Sequence, residues 1–160
     1  MNIVLFRIDQ RLIHGQVALA WTRAKNAQKI VVINNEVAQN STQQTLMDMS
    51  VPTGVKTAFL SLEEAIEKIN DDSLGNEKLL LLVKTPIEAL ELVKNGLEID
   101  KINVGGVRSE DEKEQTQLTK EVSATPEEIK ALQKLDELGV SLEAQWVPDQ
   151  KKTNLNEKLD

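Results

Sequence analysis

Short apolar runs recur along the chain and are separated by longer amphipathic segments. Five runs of four to six residues have the length and the continuous apolar character of strands buried on both faces: 3–6, 29–33, 55–60, 78–83 and 101–104. A sixth run, 140–147, alternates instead, with one face made of Val140, Leu142, Ala144 and Trp146. This alternation predicts a half-exposed strand at the edge of a sheet.

Capping signals mark where helices begin and end between these strands. The spacing of a capping box occurs four times: Ser41 with Gln44, Ser61 with Glu64, Thr85 with Glu88, and Thr125 with Glu128. Proline at a first helical position and glycine at a helix end support these assignments: Pro86, Pro126, Gly96 and Gly139. A further helix, from about residue 15 to residue 26, carries an apolar stripe of Val17, Ala20, Trp21 and Ala24. This position predicts that Trp21 packs in the core.

The alternation of strands and helices predicts an α/β fold. It favours an open, doubly wound, mostly parallel sheet with helices on both faces and right-handed crossovers. The charged stretch 108–121 interrupts the rhythm and is expected to be irregular, with a short strand near Lys120 to Ser123. For the last ten residues, 151–160, a loose helix and a disordered tail stay open as alternatives. We expect residues 1–160 to form a single domain.

Composition narrows the classes of partner and chemistry. The 160 residues carry a net charge of −7, which disfavours nucleic acid and anionic membranes as partners. The chain has no cysteine, so disulfides and thiolate chemistry are excluded. The first residues have no basic region or cleavage site of a signal peptide, and the longest apolar block is too short to span a bilayer. A cytoplasmic location is therefore expected.

The only histidine lies where such a fold binds ligands. Parallel α/β sheets bind ligands outside the carboxyl ends of their strands, which here corresponds to the loops 7–14, 34–40, 84–86 and 105–109. His14 follows Arg7, Asp9 and Arg11 and directly precedes a predicted helix. The free amides and positive dipole of a helix start attract phosphate, and Gly15 leaves room for an anion to approach.

This arrangement predicts phosphoryl transfer through His14. The positive helix end favours a neutral, nucleophilic imidazole, and arginine can hold phosphoryl oxygens through forked hydrogen bonds. We take His14 and Arg11 as the catalytic candidates. The candidates for phosphoryl binding are Arg7, Asp9, Gly15 and Gln16. Arg7 either contacts the phosphoryl group or braces the loop, and Asp9 either holds a ring N–H or orders the loop.

Four residues of neighbouring loops are candidates for contact with a partner at the same edge: Lys84, Gly105, Gly106 and Arg108. Lysine and arginine there would attract an anionic, phosphorylated protein. The chain has no G-x-G-x-x-G motif after its first strand and no Walker lysine, so neither ATP nor NAD is expected. With one histidine and no cysteine, no metal site is expected either.

The loop resembles a known family. RIDQRLIHGQV at 7–17, followed by Trp21, is similar to the phosphorylation loop of the mannose, fructose and sorbose type of IIB components in the bacterial sugar phosphotransferase system. The resemblance extends over most of the chain: VVINNEVAQN at 31–40, residues 79–96, INVGGVRS at 102–109, and residues 127–152. One departure is Gln10, since the family commonly has two acidic residues before its second arginine.

The resemblance implies an activity, partners and a fold. Members take a phosphoryl group from a phosphohistidine of the IIA component and carry it on Nδ1 of the loop histidine, which corresponds to His14. They deliver it to a sugar imported through the IIC and IID membrane components, so the chain would lie at the inner face of the membrane. The family fold has about seven mostly parallel strands. Members often self-associate, and the sequence does not identify the sugar.

Two other classes of function remain open from the residues alone. The same loop would suit a general acid or base that acts on a small phosphorylated metabolite. It would also suit a non-catalytic module that binds an anion or a regulatory partner. The three classes differ in whether the imidazole takes up phosphoryl, turns over a metabolite, or is dispensable for binding.

Overall fold

A computed structural model describes residues 1–109 and 114–160. The elements in chain order are β1 (Asn2–Asp9), α1 (Gly15–Lys25), β2 (Lys29–Ile33), α2 (Asn35–Ala38), α3 (Ser41–Asp48), β3 (Lys56–Leu60), α4 (Leu62–Asn70), β4 (Lys78–Val83), α5 (Pro86–Lys94), β5 (Lys101–Gly106), β6 (Thr116–Gln117), β7 (Ser123–Ala124), α6 (Pro126–Glu137), β8 (Ser141–Ala144), β9 (Thr153–Asn154) and a 3₁₀ turn (Asn156–Lys158). None of the helices in these residues is long and apolar enough to cross a membrane.

Seven strands form one sheet in the order β3-β2-β4-β1-β5-β8-β9. All neighbours pair in parallel except β8 and β9, which are antiparallel, so the predicted open, mostly parallel sheet is confirmed. The strand β1 lies at the centre, between β4 and β5. Its carboxyl end, which leads to His14, is therefore flanked by the ends of both neighbours.

Apolar side chains of successive strand residues pack into two separate cores, one on each face of the sheet. Val31, Ile33 and Phe6 belong to the core under α4, α5 and α6. Ile30, Val32 and Leu5 belong to the core under α1, α2 and α3. Because alternate residues of a strand point to opposite faces, an uninterrupted apolar run fills both cores. The prediction of helices on both faces is confirmed.

Most of the predicted helix starts and stops are confirmed. The boxes at Ser61, Thr85 and Thr125 are complete in both directions. The box at Ser41 was predicted wrongly: Asn40 is the cap, and its side chain accepts from the amide of Gln43. The Gln44 side chain instead donates to two carbonyls of the preceding helix α2. The N-cap of α3 is therefore the asparagine one position before Ser41. Asparagine and serine are both favoured at an N-cap, so the sequence allowed either.

The predicted edge strand at 140–147 is shorter than the pattern suggested. β8 ends at Ala144, and the phase then changes: Gln145 is 1% exposed and Trp146 is 43% exposed. The prediction that Trp146 shares the buried face was wrong, because the Gln145 side chain has polar partners beneath the sheet edge. β8 is also not the outermost strand, since β9 pairs with its free side.

Three smaller expectations are also settled in the described residues. In α1 the buried residues are Ala18, Trp21 and Thr22, so core packing of Trp21 is confirmed but Ala24 lies at the surface. The tail is neither a loose helix nor disordered, because Leu155 and Leu159 are buried. The short strand expected near 120–123 begins at Ser123, as β7, and pairs with β6. Part of the charged stretch, 110–113, lies outside the described residues.

Candidate functional site

His14 occupies the position that the sequence predicted, in the turn between β1 and α1. It is the N-cap residue of α1, with extended backbone angles (φ −152°, ψ 134°), and its side chain does not cap the helix. The imidazole is 18% exposed, so it is partly sheltered and still open to solvent. Gly15 follows with φ +43°, a left-handed conformation that glycine adopts at little cost. The backbone thus turns sharply and leaves the ring free for chemistry.

The carboxylate of Asp9 organises this turn through three hydrogen bonds. Oδ2 accepts from Arg7 Nη2 and from His14 Nε2, each at 3.0 Å, and Oδ1 accepts from the backbone amide of Arg11 at 3.0 Å. Burial raises the pKa of Asp9, but the hydrogen bond from His14 and the charge of Arg7 outweigh this effect, and the pKa is lowered overall. Asp9 is therefore an anion and can only accept.

This geometry determines the tautomer of the histidine. A carboxylate without a proton has no donor, so the ring nitrogen facing it, Nε2, must carry the hydrogen. In a neutral imidazole the other nitrogen, Nδ1, then keeps its lone pair. Nδ1 has no hydrogen-bond partner among residues 1–109 and 114–160. The arrangement presents a nucleophilic nitrogen at the carboxyl edge of the sheet.

Arg7 lies beneath the loop and not on its surface. The residue is 2% exposed, and it belongs to β1, which continues through Asp9 and so shortens the predicted loop 7–14. Its guanidinium stacks over the ring of Trp21 at 5.0 Å from the centroid. Of the two roles that the sequence left open for Arg7, the structure favours bracing of the loop over contact with a phosphoryl group.

Four acceptors hold the Arg7 guanidinium. Nη1 donates to the Asn103 side chain and to the carbonyl of Gln145 (2.9 Å), and Nη2 donates to Asp9 and to the carbonyl of Trp146 (3.0 Å). Burial lowers the pKa of Arg7 and the charge of Asp9 raises it, and the pKa is lowered overall. An arginine remains protonated at neutral pH under such a shift. The result is a buried ion pair with its hydrogen bonds satisfied.

Sequence reasoning missed the residues that surround Arg7. Asn103 is the direct register partner of Arg7 on the neighbouring strand, and it is 3% exposed. An asparagine inside the apolar run KINV was the available signal, since a buried amide needs polar partners. Gln145 gave a weaker signal because it occupied a plausible solvent-facing position of an alternating strand. The carbonyl of Trp146 gave none, since backbone acceptors are not encoded in side-chain identity.

Arg11, the other catalytic candidate, is exposed at the protein surface. Its guanidinium makes no hydrogen bond or ion pair with any residue that the structure describes. The side chain lines a cleft of about 440 Å³, together with Gln10, Lys84, Thr85, Ile87 and Arg108. The cleft brings three cationic side chains together next to the histidine loop, and two carboxylates, Glu127 and Glu128, also line it, so its cationic side chains exceed the acidic ones by one. The chain as a whole has a negative net charge.

The remaining predicted residues take different places around the loop. Gln16 is exposed in the first turn of α1, where backbone amides have no acceptor within the helix. Gly105 lies against Arg7: an added Cβ there would overlap the guanidinium. At Gly106 a Cβ would lie 3.3 Å from Asp9 Oδ1. Both glycines therefore make room for the Arg7–Asp9 pair, and they do not line the cleft.

Gln10, the position that departs from the family pattern, anchors the loop through its backbone. Its amide donates to the carbonyl of Gly106 at 2.8 Å. Its side-chain oxygen is buried without a partner among the described residues. Across that part of the chain, no group of three or more His, Asp or Glu side chains is arranged to hold a metal ion.

A family profile and the similar known proteins all indicate the same family. A profile described as the sorbose subfamily IIB component of the phosphotransferase system matches residues 3–160. The chain is 36% identical to the sorbose-specific EIIB component of Klebsiella pneumoniae over 160 residues, which cover all of this chain and 96% of that protein. It is 39% identical to the N-acetylgalactosamine-specific phosphotransferase enzyme IIB component 2 of Escherichia coli K12, with 96% of each covered.

Two further comparisons concern architecture. The crystal structure of the IIB domain of the Klebsiella pneumoniae sorbose permease superposes with a TM-score of 0.91 at 36% identity, covering 99% of this chain and 96% of that one. The mannose-specific EIIAB component of Escherichia coli K12 is 36% identical over the whole of this chain, which corresponds to 50% of that protein. In that relative a IIB region is joined to a IIA region in one polypeptide.

Proposed function

Because the chain belongs to the sorbose subfamily of phosphotransferase-system IIB components, which transfer a phosphoryl group to a sugar, we propose that His14 is the residue that carries this group. The observation that supports this most directly is the 3.0 Å hydrogen bond from His14 Nε2 to Asp9, which leaves Nδ1 as the nucleophile. The resemblance of the loop to the family's phosphorylation loop implies the same nitrogen.

In the first half-reaction, Nδ1 of His14 attacks the phosphorus of the donor's phosphohistidine. A new N–P bond forms on His14 as the N–P bond of the donor breaks, and the donor ring leaves as neutral imidazole with its own N–H. His14 keeps its proton on Nε2, so the phosphorylated ring carries a positive charge. The Asp9 carboxylate, 3.0 Å from Nε2, stabilises that charge.

In the second half-reaction a sugar hydroxyl attacks the same phosphorus. The N–P bond to His14 breaks, neutral imidazole is restored, and the hydroxyl proton passes to a base on the acceptor side or to solvent. Both steps move three charged oxygens past the loop. We assign their stabilisation to the Arg11 guanidinium and to the first-turn amides at Gly15 and Gln16, which are the exposed donors here. Arg7 acts indirectly, through Asp9.

We assign docking of the phosphorylated IIA donor to the cationic cleft beside Arg11. Lys84 and Arg108 line it, and a phosphohistidine loop is anionic, so the charges are complementary. The joining of IIA and IIB in the mannose-specific relative supports a direct partnership. The acceptor side is the sugar-bearing IIC membrane component, together with IID, which places this chain at the cytoplasmic face. Self-association and the unity of residues 1–160 as one domain stay predictions, and the sugar is not identified.

The test is phosphoryl uptake from purified phospho-IIA, with site mapping by mass spectrometry. The parent protein should gain the mass of one phosphoryl group, about 80 Da, in a form that is labile to acid and stable to base. His14→Gln keeps a polar side chain of similar size and should take up nothing, while its circular dichroism spectrum matches the parent. Equal uptake by His14→Gln would show that His14 is not the carrier.

A further inference from the structure

We propose that the segment Gln145–Gln150 is a positioning element that sets the orientation of His14 without touching the phosphoryl group. This inference rests on the proposed role of His14 as the carrier. It concerns residues far from that histidine in sequence, at the carboxyl end of β8 and outside the cleft that we assign to the donor. The observation behind it is a continuous chain of hydrogen bonds from this segment to Nε2.

The segment is held in shape by its own side chains. Gln145 is 1% exposed, and its Nε2 donates to the carbonyls of Pro148 (3.1 Å) and Gln150 (2.6 Å). The Gln150 side chain closes the loop from the other end, because its Oε1 accepts from the amide of Trp146 at 2.7 Å. The backbone of 145–150 is thus folded around two glutamine side chains.

One more contact ties this loop to the rest of the molecule. Gln150 Nε2 donates to the carboxylate of Glu121 at 2.9 Å, and Glu121 is 6% exposed. Glu121 is itself anchored, since its carbonyl accepts from the amide of Val107 just beyond β5. A buried carboxylate needs a donor, so the bond between Glu121 and Gln150 fixes the place of the segment.

Two backbone carbonyls connect the segment to the site. Those of Gln145 and Trp146 accept from Nη1 and Nη2 of Arg7, and the Trp146 carbonyl also accepts from Trp21 Nε1 at 2.9 Å. Nη2 of Arg7 then donates to Asp9 Oδ2, the same oxygen that accepts from His14 Nε2. A shift of the Trp146 carbonyl therefore moves Arg7, then Asp9, and then the imidazole.

The decisive variant is Gln150→Glu. Its carboxylate can still accept from the Trp146 amide, but it faces the carboxylate of Glu121, and the like charges push the segment away. We expect the kcat of phosphoryl uptake to fall on the order of 10-fold to 100-fold, because small misplacements of reacting groups have effects of that size. The KM for phospho-IIA should stay within a factor of about 2, since the segment lies outside the docking cleft.

A double variant that exchanges the residues at positions 121 and 150 should restore activity. Glu121→Gln combined with Gln150→Glu restores a donor opposite a carboxylate, and kcat should return to near the parent value. Imidazole ¹⁵N shifts give an independent readout: the parent and the exchanged pair should show Nε2–H alone, and Gln150→Glu a mixture of tautomers. If Gln150→Glu does not fold, Gln150→Met, which removes both hydrogen bonds without adding charge, should show the same loss of kcat and the same mixture.

The matched control is Asp149→Asn, an exposed neighbour whose side chain makes no hydrogen bond to any described residue. This variant should have the same kcat, the same KM for phospho-IIA and the same imidazole tautomer as the parent. An unchanged kcat in Gln150→Glu, or a pure Nε2–H tautomer despite lost activity, would overturn the positioning role. His14→Gln is measured in parallel: if it takes up phosphoryl normally the proposed function fails, whereas inactive His14→Gln with normal Gln150→Glu and Gln150→Met refutes only the present inference.

Discussion

Asp9 Oδ2 lies 3.0 Å from His14 Nε2 and 3.0 Å from Arg7 Nη2, so a single carboxylate oxygen joins the histidine to the buried cation beneath it. A charge held in this way does two things for phosphoryl transfer. It fixes the hydrogen on Nε2 before the reaction, and it stabilises the positive ring after Nδ1 has been phosphorylated.

The variant Asp9→Asn should therefore slow phosphoryl uptake by about 100-fold or more. All three groups that face Asp9 are donors, so an amide places its NH₂ against at least one of them whichever way it points. The measurement is a quench-flow time course with phospho-IIA. Asp149→Asn makes the same chemical change at an exposed site and serves as control; equal rates for the two variants would contradict the role of Asp9.

The stability of the protein should depend on the ionisation of Asp9. Its pKa is lower in the folded chain than the usual 3.8, so the carboxylate form favours the folded state. That contribution is fully present above the unfolded pKa and is lost as the pH falls through the folded value. The difference in unfolding free energy between the parent and Asp9→Asn should therefore shrink between about pH 5 and pH 2.

The pH dependence is taken from the difference between the two proteins because this removes the contribution of another carboxylate, the half-buried Glu88. Burial raises the pKa of Glu88, against hydrogen bonds from Lys84, Asn34 and Thr85 that lower it. Glu88 thus contributes with the opposite sign, favouring folding as the pH falls through its folded pKa. Urea unfolding at several pH values measures the difference; a constant difference would show that Asp9 titrates normally.

A methyl group at Gly105 should damage the site through Arg7. The added Cβ would overlap the guanidinium, which is buried and has no room to move. Gly105→Ala should lower the unfolding free energy by about 3 kcal/mol and also reduce phosphoryl uptake. Gly106→Ala is the matched control, since its Cβ would meet only the Asp9 carboxylate, with Oδ1 nearest at 3.3 Å, and should have a smaller effect on both quantities. A larger loss at Gly106 would contradict this account.

The sequence predicted those parts of the site that depend on residues close to one another in the chain. The apolar runs located the strands, three capping boxes located helices, and both together placed His14 at the carboxyl edge, as observed. Local signals suffice there because a strand or a cap depends on neighbours a few residues away. The loop residues His14, Asp9 and Arg11 followed from the same argument.

The residues beneath the site could not be predicted in this way, because long-range register brings them together. Arg7 meets Asn103 and Gln145 across 96 and 138 residues of sequence. The sequence left two roles open for Arg7, contact with the phosphoryl group or bracing of the loop, and the long-range hydrogen bonds to backbone carbonyls bury it in the bracing position. The change of phase after Ala144 has the same origin, since burial of Gln145 satisfies Asn103 and two carbonyls.

Arg11 should affect the rate of transfer and not the fold. It is exposed, and its guanidinium has no partner among the residues that the structure describes, so Arg11→Ala should leave the unfolding free energy nearly unchanged. Loss of a preorganised charge commonly costs roughly 3 kcal/mol in a transition state, which corresponds to a decrease in rate on the order of 100-fold. Arg11→Lys keeps the charge but loses the forked geometry of the guanidinium, so its transfer rate should lie between those of the parent and Arg11→Ala. Parent-like kinetics in Arg11→Ala would show that Arg11 does not stabilise the phosphoryl oxygens.

The cationic cleft should govern encounter with the donor. Lys84 and Arg108 line it with Arg11, and attraction between exposed charges acts mainly on association, so Lys84→Glu and Arg108→Glu should raise the KM for phospho-IIA several-fold. Their kcat should change little, in contrast to Arg11→Ala. Added salt should raise the parent's KM toward that of the variants, because it screens the attraction in the parent. Lys130→Glu, on the exposed side of α6 and outside the lining of the cleft, makes the same charge change as a control. If all three reversals raise KM equally, net charge and not this cleft attracts the donor.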